Sequence, residues 1–328
     1  MRPLEVGAGG TTSELLREMS ATAFTGRALG EAADVLEAMI REKAFTVMTL
    51  SGAMTMAGLN KLIMEMIRRG WVRVVVATGA LVGHGLVEDL GFTHYKANPD
   101  VSDEEYLKVR FNRVYDTVEP EHNLERLELT IRGLLHELAD ARDEPLGSHE
   151  LLRFLGERLP GHGVLQEAAR ANVPVFIPAF TDSELGLDVA VHQLMRRRDG
   201  KRPLVYDGFR DLFHYVSLCE GHHDAGGKLG IFTIGGGVPR NWAQQLGPYV
   251  DIRGSRMGEE SPVVRYAYGV RICPDPVHYG HLSGCTYSEG VSWGKFVARG
   301  EGGRYAEVLC DATVAWPLLV RAMIERGL

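Results

Sequence analysis

The sequence predicts an α/β protein built on a doubly wound, mostly parallel sheet with helices on both faces. Short apolar runs alternate with segments in which apolar residues recur at helical spacing, the pattern of strands joined by crossover helices. Four of these runs stop at small or acidic residues, and ligands of such sheets bind just beyond the carboxyl ends of the strands. The chain has 328 residues, 45% of them hydrophobic, which is enough for a large buried core. We therefore expect a pocket where the four runs end.

The predicted elements follow in chain order. Residues 1–20 are weakly patterned, so we expect an irregular segment or a short helix there. Helical spacing predicts one helix that ends before Lys43 and a second that ends near Gly70, with an apolar run at 45–50 between them. A further helix is predicted over 164–170. The strands that end at the expected pocket are residues 72–77, 173–180, 230–234 and 307–310, followed by Thr78, Thr181, Gly235 and Asp311.

Two segments depart from this alternation. Residues 100–160 are more polar and more helical, so we expect a helical insertion or cap within a single domain that spans residues 1–328. Residues 259–294 are rich in Gly, Pro, His and Tyr, which predicts a largely irregular loop. Long loops in compact enzymes often carry function.

Composition excludes several partners. The chain carries 43 acidic and 36 basic residues, a net charge of −7, and its dense basic cluster is confined to 196–202, so nucleic acid is not expected as a partner. Four cysteines without a Cys-x-x-Cys pair fit a reducing compartment, and we predict a cytoplasmic protein. The longest uncharged stretch, 45–60, is too short to span a bilayer, and charges interrupt any signal-peptide core, so no membrane role is expected.

Several common catalytic motifs are absent from the sequence. The dinucleotide fingerprint G-x-G-x-x-G fails at Gly83 because Glu88 occupies its last position. The P-loop, zinc-protease and α/β-hydrolase patterns fail as well. Cys219, His222 and His223 offer three metal donors, but they lie in one short segment without a second half-site. We interpret that segment as a surface loop and predict no metal site.

Trp293 and Lys295 form the most informative pair in the chain. If residues 291–297 are extended, both side chains project from the same face. An indole beside a lysine lowers the local polarity, which lowers the pKa of the amine and makes a neutral nucleophile available. Trp293 could also hold an alkylammonium group by a cation–π contact. The alternative is a Trp at the edge of the core beside a Lys that extends into solvent.

Residues 289–295, Glu-Gly-Val-Ser-Trp-Gly-Lys, resemble the active-site segment of the deoxyhypusine synthase family, whose catalytic lysine closes an E-A-V-S-W-G-K motif. Further matches follow in order at Gly26-Arg-Ala28, Thr78-Gly-Ala80, Thr93-His-Tyr-Lys96, Pro178-Ala-Phe-Thr-Asp182, Gly235-Gly-Gly-Val238 and Asp311-Ala312. The resemblance runs from residue 26 to residue 319 and is patchy only over 100–160. It implies a doubly wound NAD-binding fold, a homotetramer with active sites between paired subunits, and a polyamine reaction without net redox change.

The resemblance also implies roles for individual residues. Lys295 resembles the catalytic lysine, which forms an imine with a four-carbon aminobutyl group. The substrate-binding residues that it implies are Trp293, Glu289, His84, Asn241, Glu184 and Asp188. The cofactor contacts that it implies are Thr78, Gly79, Ala80, Asp182, Gly236, Asp311 and Ala312, with residues 52–56 as a further candidate. For Glu184 and Asp188 the alternative is a helix cap or a solvated face, and for His84 a capping or core-edge histidine.

The implied reaction begins with spermidine as the donor. A hydride passes to NAD from the carbon beside its secondary amine, Lys295 attacks the resulting imine, and diaminopropane leaves. The aminobutyl group then moves to an acceptor amine, and the retained NADH reduces the new imine. These steps place the reactive chemistry on the amine of Lys295.

Some positions depart from the family pattern. The segment after the three glycines ends at Asn241, where the eukaryotic enzymes carry a histidine, and Gly280-His-Leu282 stands in place of a G-S-D element. Such departures resemble the bacterial deoxyhypusine synthase-like branch, in which the resemblance implies a free diamine such as putrescine as acceptor, giving homospermidine. Two alternatives stay open: transfer to a lysine of a protein, and a non-catalytic module that binds NAD or polyamines.

Overall fold

The computed structural model describes residues 1–5, 7 and 9–328. Its helices are α1 (Thr12–Ser20), α2 (Phe24–Arg41), α3 (Asn60–Arg68), α4 (Gly79–Asp89), α5 (Asp103–Lys108), α6 (Glu121–Ala141), α7 (Ser148–Arg158), α8 (Val164–Arg170), α9 (Glu184–Arg198), α10 (Gly208–Asp224), α11 (Gly237–Gln244), α12 (Leu246–Met257), α13 (Tyr287–Ser292) and α14 (Ala312–Glu325). Its strands are β1 (Phe45–Leu50), β2 (Val74–Ala77), β3 (Tyr95–Lys96), β4 (Phe111–Val114), β5 (Thr117–Pro120), β6 (Val175–Phe176), β7 (Leu229–Ile234), β8 (Tyr266–Ile272) and β9 (Arg304–Val308).

The chain divides into two structural units. The first contains Met1–Ser51, Glu65–Val76 and Leu212–Leu328, and the second contains Gly52–Met64 and Ala77–Asp211. Helices α5, α6 and α7 occupy much of residues 100–160, as the polarity of that segment predicts. The single domain over residues 1–328 and the role of residues 100–160 as a cap stay predictions.

The first unit is built on a parallel sheet with the strand order β2-β1-β7-β8-β9. The pairs β1–β7, β7–β8 and β8–β9 are all parallel. Five of the six residues of β1 and all six of β7 are buried, which explains why their sequences are continuously apolar instead of alternating. Trp316 of α14 packs on Phe232 of β7, with ring centroids 6.2 Å apart, and α2 packs against β8 and β9. The predicted α/β class with a mostly parallel sheet is confirmed.

The second unit is mainly helical. Helix α4 packs against α6, α8 and α9, and α7 packs against α8 and β6. In α6 the buried residues Leu127, Ile131 and Leu135 recur every four positions, so one stripe of this helix faces the interior. The short strands β3, β5 and β4 form an antiparallel sheet in that order. No helix of the described residues is long and apolar enough to cross a membrane.

The sequence prediction of a loop over residues 259–294 is wrong in part. Strand β8 and helix α13 both lie within this segment. The strand was obscured by Arg271, a charged residue near the end of a buried strand. Its guanidinium forms an ion pair with Glu307 on the neighbouring strand β9, with 3.1 Å between Nη2 and Oε1, so the charge is compensated inside the sheet.

Three other local predictions need correction. The strand expected over 173–180 is only the two-residue β6, since Pro174 and Pro178 flank it and lack the N–H that a ladder requires. The strand expected over 307–310 lies earlier, as β9. Cys219, His222 and His223 lie on helix α10 and not in a surface loop, and the Cys219 side chain is fully buried.

Candidate active site

Lys295 lies in a turn between α13 and the amino end of strand β8 in the parallel sheet. Helix α13 ends at Ser292, and Gly294 has a φ of +66°, which glycine adopts without strain. The amide of Lys295 donates to the carbonyl of Gly290 at 3.0 Å, and its own carbonyl accepts from the amide of Tyr266 at 3.1 Å. Because Tyr266 begins β8, the backbone of Lys295 is fixed to the sheet.

Trp293 and Lys295 occupy different environments. The extended conformation expected for residues 291–297 is wrong, because Trp293 is the C-cap of α13 and Gly294 reverses the chain direction after it. The Trp293 residue is 64% exposed, whereas Lys295 is only 8% exposed. The predicted pairing of these side chains on one strand face is therefore wrong.

The Lys295 amine has a defined polar partner. Its Nζ donates to Oδ1 of Asn241 on α11 at 3.2 Å. Burial lowers the pKa of Lys295, and the nearby positive charge of Arg240 acts in the same direction, while Cys285 and Glu289 oppose the shift. Lys295 consequently has a larger neutral fraction at a given pH than a solvent-exposed lysine. A neutral amine held by one hydrogen bond is suited to nucleophilic attack.

Arg240 is a component of the site that sequence reasoning missed. Its guanidinium is buried, lies 5.4 Å from the Tyr287 ring centroid, and donates to the carbonyls of Leu282 (3.3 Å) and Cys285 (2.6 Å). It thereby holds the loop that leads into α13. Burial also lowers the pKa of Arg240. A signal was present in the sequence: an arginine directly follows the three glycines and the Val-Pro pair of a predicted pocket edge.

The glycine segment after β7 contacts two other parts of the first unit. Ser51 follows β1, and its Oγ donates to the carbonyl of Gly236. A Cβ atom on Gly236 would overlap Cα and Cβ of Ser283, so the close approach of this loop requires glycine here. Helix α11 begins at the next residue, and its N-cap Gly236 provides no side-chain cap. The first-turn N–H groups of α11 are thus suited to bind phosphate oxygens.

Asp311 and Ala312 follow β9 at the same edge of the sheet. Asp311 caps α14, since its Oδ1 accepts from the amide of Thr313 at 2.8 Å, and Ala312 is buried. Strands β7 and β9 are separated by β8, so their ends lie roughly 10 Å apart. The carboxyl ends of β1, β7 and β9 therefore place Ser51, Gly236 and Asp311 along one end of the sheet, and the ends of β7 and β9 are two of the four that the sequence predicts for the pocket.

The remaining cofactor candidates lie in the second unit. Thr78 is the N-cap of α4, where its Oγ1 donates to the carbonyl of Gly52 at 3.3 Å instead of capping the helix. A Cβ atom on Gly79 would overlap the Ser183 side chain, so the turn that carries Asp182 packs directly on the start of α4. The structure thus brings Thr78, Gly79 and Ala80 together with Asp182. Within the second unit, the uncapped first turn of α4 is suited to bind phosphate oxygens.

Two predicted amine-binding acids share one face of α9. Glu184 begins the helix and Asp188 follows one turn later. Burial raises the pKa of Asp188 to about 6, and the negative charges of Glu128 and Glu184 add to the shift. A bound ammonium group would relieve this repulsion, which fits the predicted role of these acids.

His84 and Glu289 differ in accessibility. Glu289 lies in the first turn of α13, is exposed, and acts electrostatically on Lys295. His84 is buried within α4, and its Nδ1 is 2.7 Å from Oε2 of Glu119. One ring nitrogen of His84 therefore already has a protein partner.

Comparison with known proteins places these features in a wider context. The deoxyhypusine synthase family model matches residues 14–323. The chain is 32% identical over 310 residues to "Probable deoxyhypusine synthase 2" of Archaeoglobus fulgidus, covering 93% of this chain and 96% of the relative. It is 33% identical over 322 residues to the protein of the same name from Methanosarcina mazei, covering 96% of this chain and 87% of the relative. A "Deoxyhypusine synthase-like protein" of Coxiella burnetii is 30% identical over 322 residues, covering 95% and 86%.

The fold has a counterpart among solved structures. A crystal structure of a deoxyhypusine synthase candidate from Entamoeba histolytica superposes with a TM-score of 0.60. The match covers 96% of this chain and 93% of the other, at 16% sequence identity. At that identity the likeness concerns the fold alone.

Proposed function

The chain belongs to the deoxyhypusine synthase family of NAD-dependent transferases, and from this premise we propose that it transfers an aminobutyl group through an imine on Lys295. The observation that carries the proposal is the buried Lys295 amine, which is hydrogen-bonded to Asn241 and has a lowered pKa. A lysine that served only solubility or surface packing would be exposed and charged. We propose spermidine as the donor.

Lys295 performs the covalent step in this proposal. Bound NAD supplies the redox chemistry of the cycle by accepting a hydride from the donor and later returning it. The neutral Nζ attacks the oxidised carbon of the donor, a new C–N bond forms there, and the bond to diaminopropane breaks. The leaving amine takes up the proton that Nζ loses. Asn241 Oδ1 accepts one N–H of Lys295 and so orients the nitrogen lone pair.

Glu289 and Trp293 are proposed to bind the substrate from the exposed side of Lys295. Glu289 offers a carboxylate to the free ammonium end of the aminobutyl group, and the exposed indole of Trp293 offers a cation–π surface. Glu184 and Asp188 provide two further carboxylates on α9. Asp188 gains most from a cationic ligand because its own pKa is raised.

We propose a small diamine such as putrescine as the acceptor, which makes the product homospermidine. The support is the departure of this chain from the family pattern at Asn241 and at residues 280–282. A second candidate is a lysine of a protein, and the names of the archaeal relatives favour it. The homotetramer and the cytoplasmic location are part of the same proposal.

The test combines product analysis with covalent trapping. Purified protein is incubated with NAD, spermidine and putrescine, with and without borohydride, and amines and peptides are identified by mass spectrometry. Homospermidine together with a trapped four-carbon adduct on Lys295 supports the small-acceptor transferase. Diaminopropane and the adduct without homospermidine support a different acceptor, which incubation with candidate lysine-bearing proteins identifies.

Matched variants separate catalysis from binding. Lys295→Ala is expected to abolish both adduct and product while NAD binding, followed by fluorescence titration, is retained. Lys61→Ala removes an exposed lysine on α3 and is expected to leave all three readouts unchanged. An adduct that persists in Lys295→Ala would refute the role of Lys295.

A further inference from the structure

Three potential metal donors converge in the second unit, and one of them, His84, is also among the substrate-binding residues that the family resemblance implies. His84 lies on α4, His94 directly precedes β3, and Glu119 lies on β5. Strands β3 and β5 pair antiparallel with Tyr95 opposite Val118, so one further step of this register places His94 opposite Glu119. The three groups offer ligand atoms that all lie within 4.8 Å of one another.

Two buried atoms of this cluster have no hydrogen bond. Nε2 of His94 and Oε1 of Glu119 face each other as an ion pair at 3.4 Å, but neither atom makes a hydrogen bond. The Glu119 side chain is fully buried and that of His94 is 5% exposed. Buried polar atoms without a hydrogen bond are uncommon, and an ion placed between these two would bind both of them. We propose that His84, His94 and Glu119 bind a divalent transition metal ion of the Zn²⁺ class.

The donor set and its spacing fit such an ion. Imidazole and carboxylate are ordinary Zn²⁺ ligands, with bonds of about 2.0–2.2 Å. Two such ligands in a tetrahedral arrangement are about 3.4 Å apart, which matches the separation of His94 Nε2 and Glu119 Oε1. The 2.7 Å hydrogen bond between His84 Nδ1 and Glu119 Oε2 would open by a few tenths of an ångström on binding.

The surroundings supply the support that ligating histidines commonly have. Nδ1 of His94 is 3.2 Å from Oε1 of Glu88, whose Oε2 accepts from Nδ2 of Asn60 at 2.7 Å. A carboxylate that accepts the Nδ1 proton fixes the ring tautomer and directs Nε2 toward the ion. The two glutamates also balance the charge of a divalent cation. A cavity of ≈ 500 Å³ lined by Glu88, His94 and Asp116 borders the cluster and gives an ion access to it.

Protons compete with the ion for this site. Burial by itself would lower the pKa of His94, but its contacts with the carboxylates of Glu119 and Glu88 raise it to about 9. Metal binding must therefore displace a proton from His94. Without a metal, the same residues form a charged His–Glu–His network, and this is the alternative that the experiment must separate.

The experiment titrates the chelator-treated full-length protein with Co²⁺ and Zn²⁺ at pH 8. We expect one Co²⁺ per chain, visible d–d absorption typical of four or five ligands, and displacement by Zn²⁺. Glu119→Gln and His94→Gln are expected to lose more than about 100-fold in affinity, and Glu88→Gln about 10- to 100-fold. Asp116→Asn removes a carboxylate from the same cavity wall and is expected to bind Co²⁺ like the unmodified chain.

Melting curves without metal show whether each variant is folded. If Glu119→Gln does not fold, X-ray absorption of the Co²⁺-loaded unmodified chain still tests the proposal. The spectrum must show imidazole among the groups that bind Co²⁺. Absence of stoichiometric Co²⁺ absorption at millimolar metal would overturn the proposal. So would equal affinities in the unmodified chain, His94→Gln and Glu119→Gln, and the cluster would then be a hydrogen-bonded network only.

Discussion

Replacement of Asn241 by Asp tests whether the neutral Lys295 amine limits the reaction. The substitution keeps the shape of the side chain and its acceptor oxygen but places a full negative charge 3.2 Å from Nζ. At this distance the attraction is between about 1 kcal/mol in water-like surroundings and about 5 kcal/mol near a protein surface. The pKa of Lys295 should consequently rise by roughly 1 to 4. The acidic limb of the pH–rate profile should move to higher pH by the same number of pH units.

The assay follows formation of the borohydride-trapped adduct in a single turnover between pH 6 and pH 10. Below the raised pKa, the neutral fraction of the amine falls about tenfold for each pH unit, so Asn241→Asp should be slow near neutral pH and recover at high pH. Gln245→Glu adds the same charge at an exposed position one turn along and should move the limb by less than about one pH unit. An unchanged limb in Asn241→Asp would refute the reasoning, as would a loss of rate that is the same at every pH between 6 and 10.

Three further substitutions test other features of the structure. Gly236→Ala should lower the melting temperature by a few degrees, because overpacking against the Ser283 backbone costs about 1–3 kcal/mol, whereas Gly300→Ala faces open space and should not. Asp188 has a folded pKa of about 6 against an unfolded value near 3.9, so its ionisation destabilises the fold above pH 6 and this penalty disappears toward pH 4. In urea denaturation, Asp188→Asn should therefore raise the free energy of unfolding by about 1 kcal/mol at pH 7.5, after allowance for the partial exposure of the side chain. At pH 4 the substitution should change it by almost nothing. Equal gains at both pH values would contradict this reasoning. Asp311→Ala should lose about 1 kcal/mol of unfolding free energy with the cap of α14, and Asp311→Asn should retain most of it.

The parts of the fold that could be predicted are those in which burial leaves a continuous signal. Strands β1 and β7 are apolar along their length because both of their faces are covered, and α2 and α3 show the helical spacing of one buried side. The expectation of a pocket at the carboxyl ends of the strands came from topology, and Gly236 and Asp311 do follow β7 and β9. Their roles as cofactor contacts stay predictions.

Features that depend on long-range pairing left no local signal. Arg271 interrupts β8 in sequence and is compensated only by Glu307 on the next strand. The conformation of residues 291–297 depends on the cap of α13 and on the positive φ of Gly294. The prediction assumed an extended strand, in which alternate side chains share a face, and that assumption does not hold in a turn. His94 and Glu119 come together only through the pairing of β3 with β5.

The attachment of Lys295 to the start of β8 restricts how a covalent carrier can work. Its carbonyl accepts from Tyr266, and the amide of Val297 donates back to the carbonyl of Tyr266 at 2.9 Å, so the base of the arm cannot swing with a loop. Any travel of a group carried on Nζ must come from rotations within the lysine side chain. The departing amine and the incoming amine must then occupy the same place in turn. If the proposed transfer through Lys295 operates, we expect ping-pong kinetics with mutual competition between the two amines and inhibition by an excess of either.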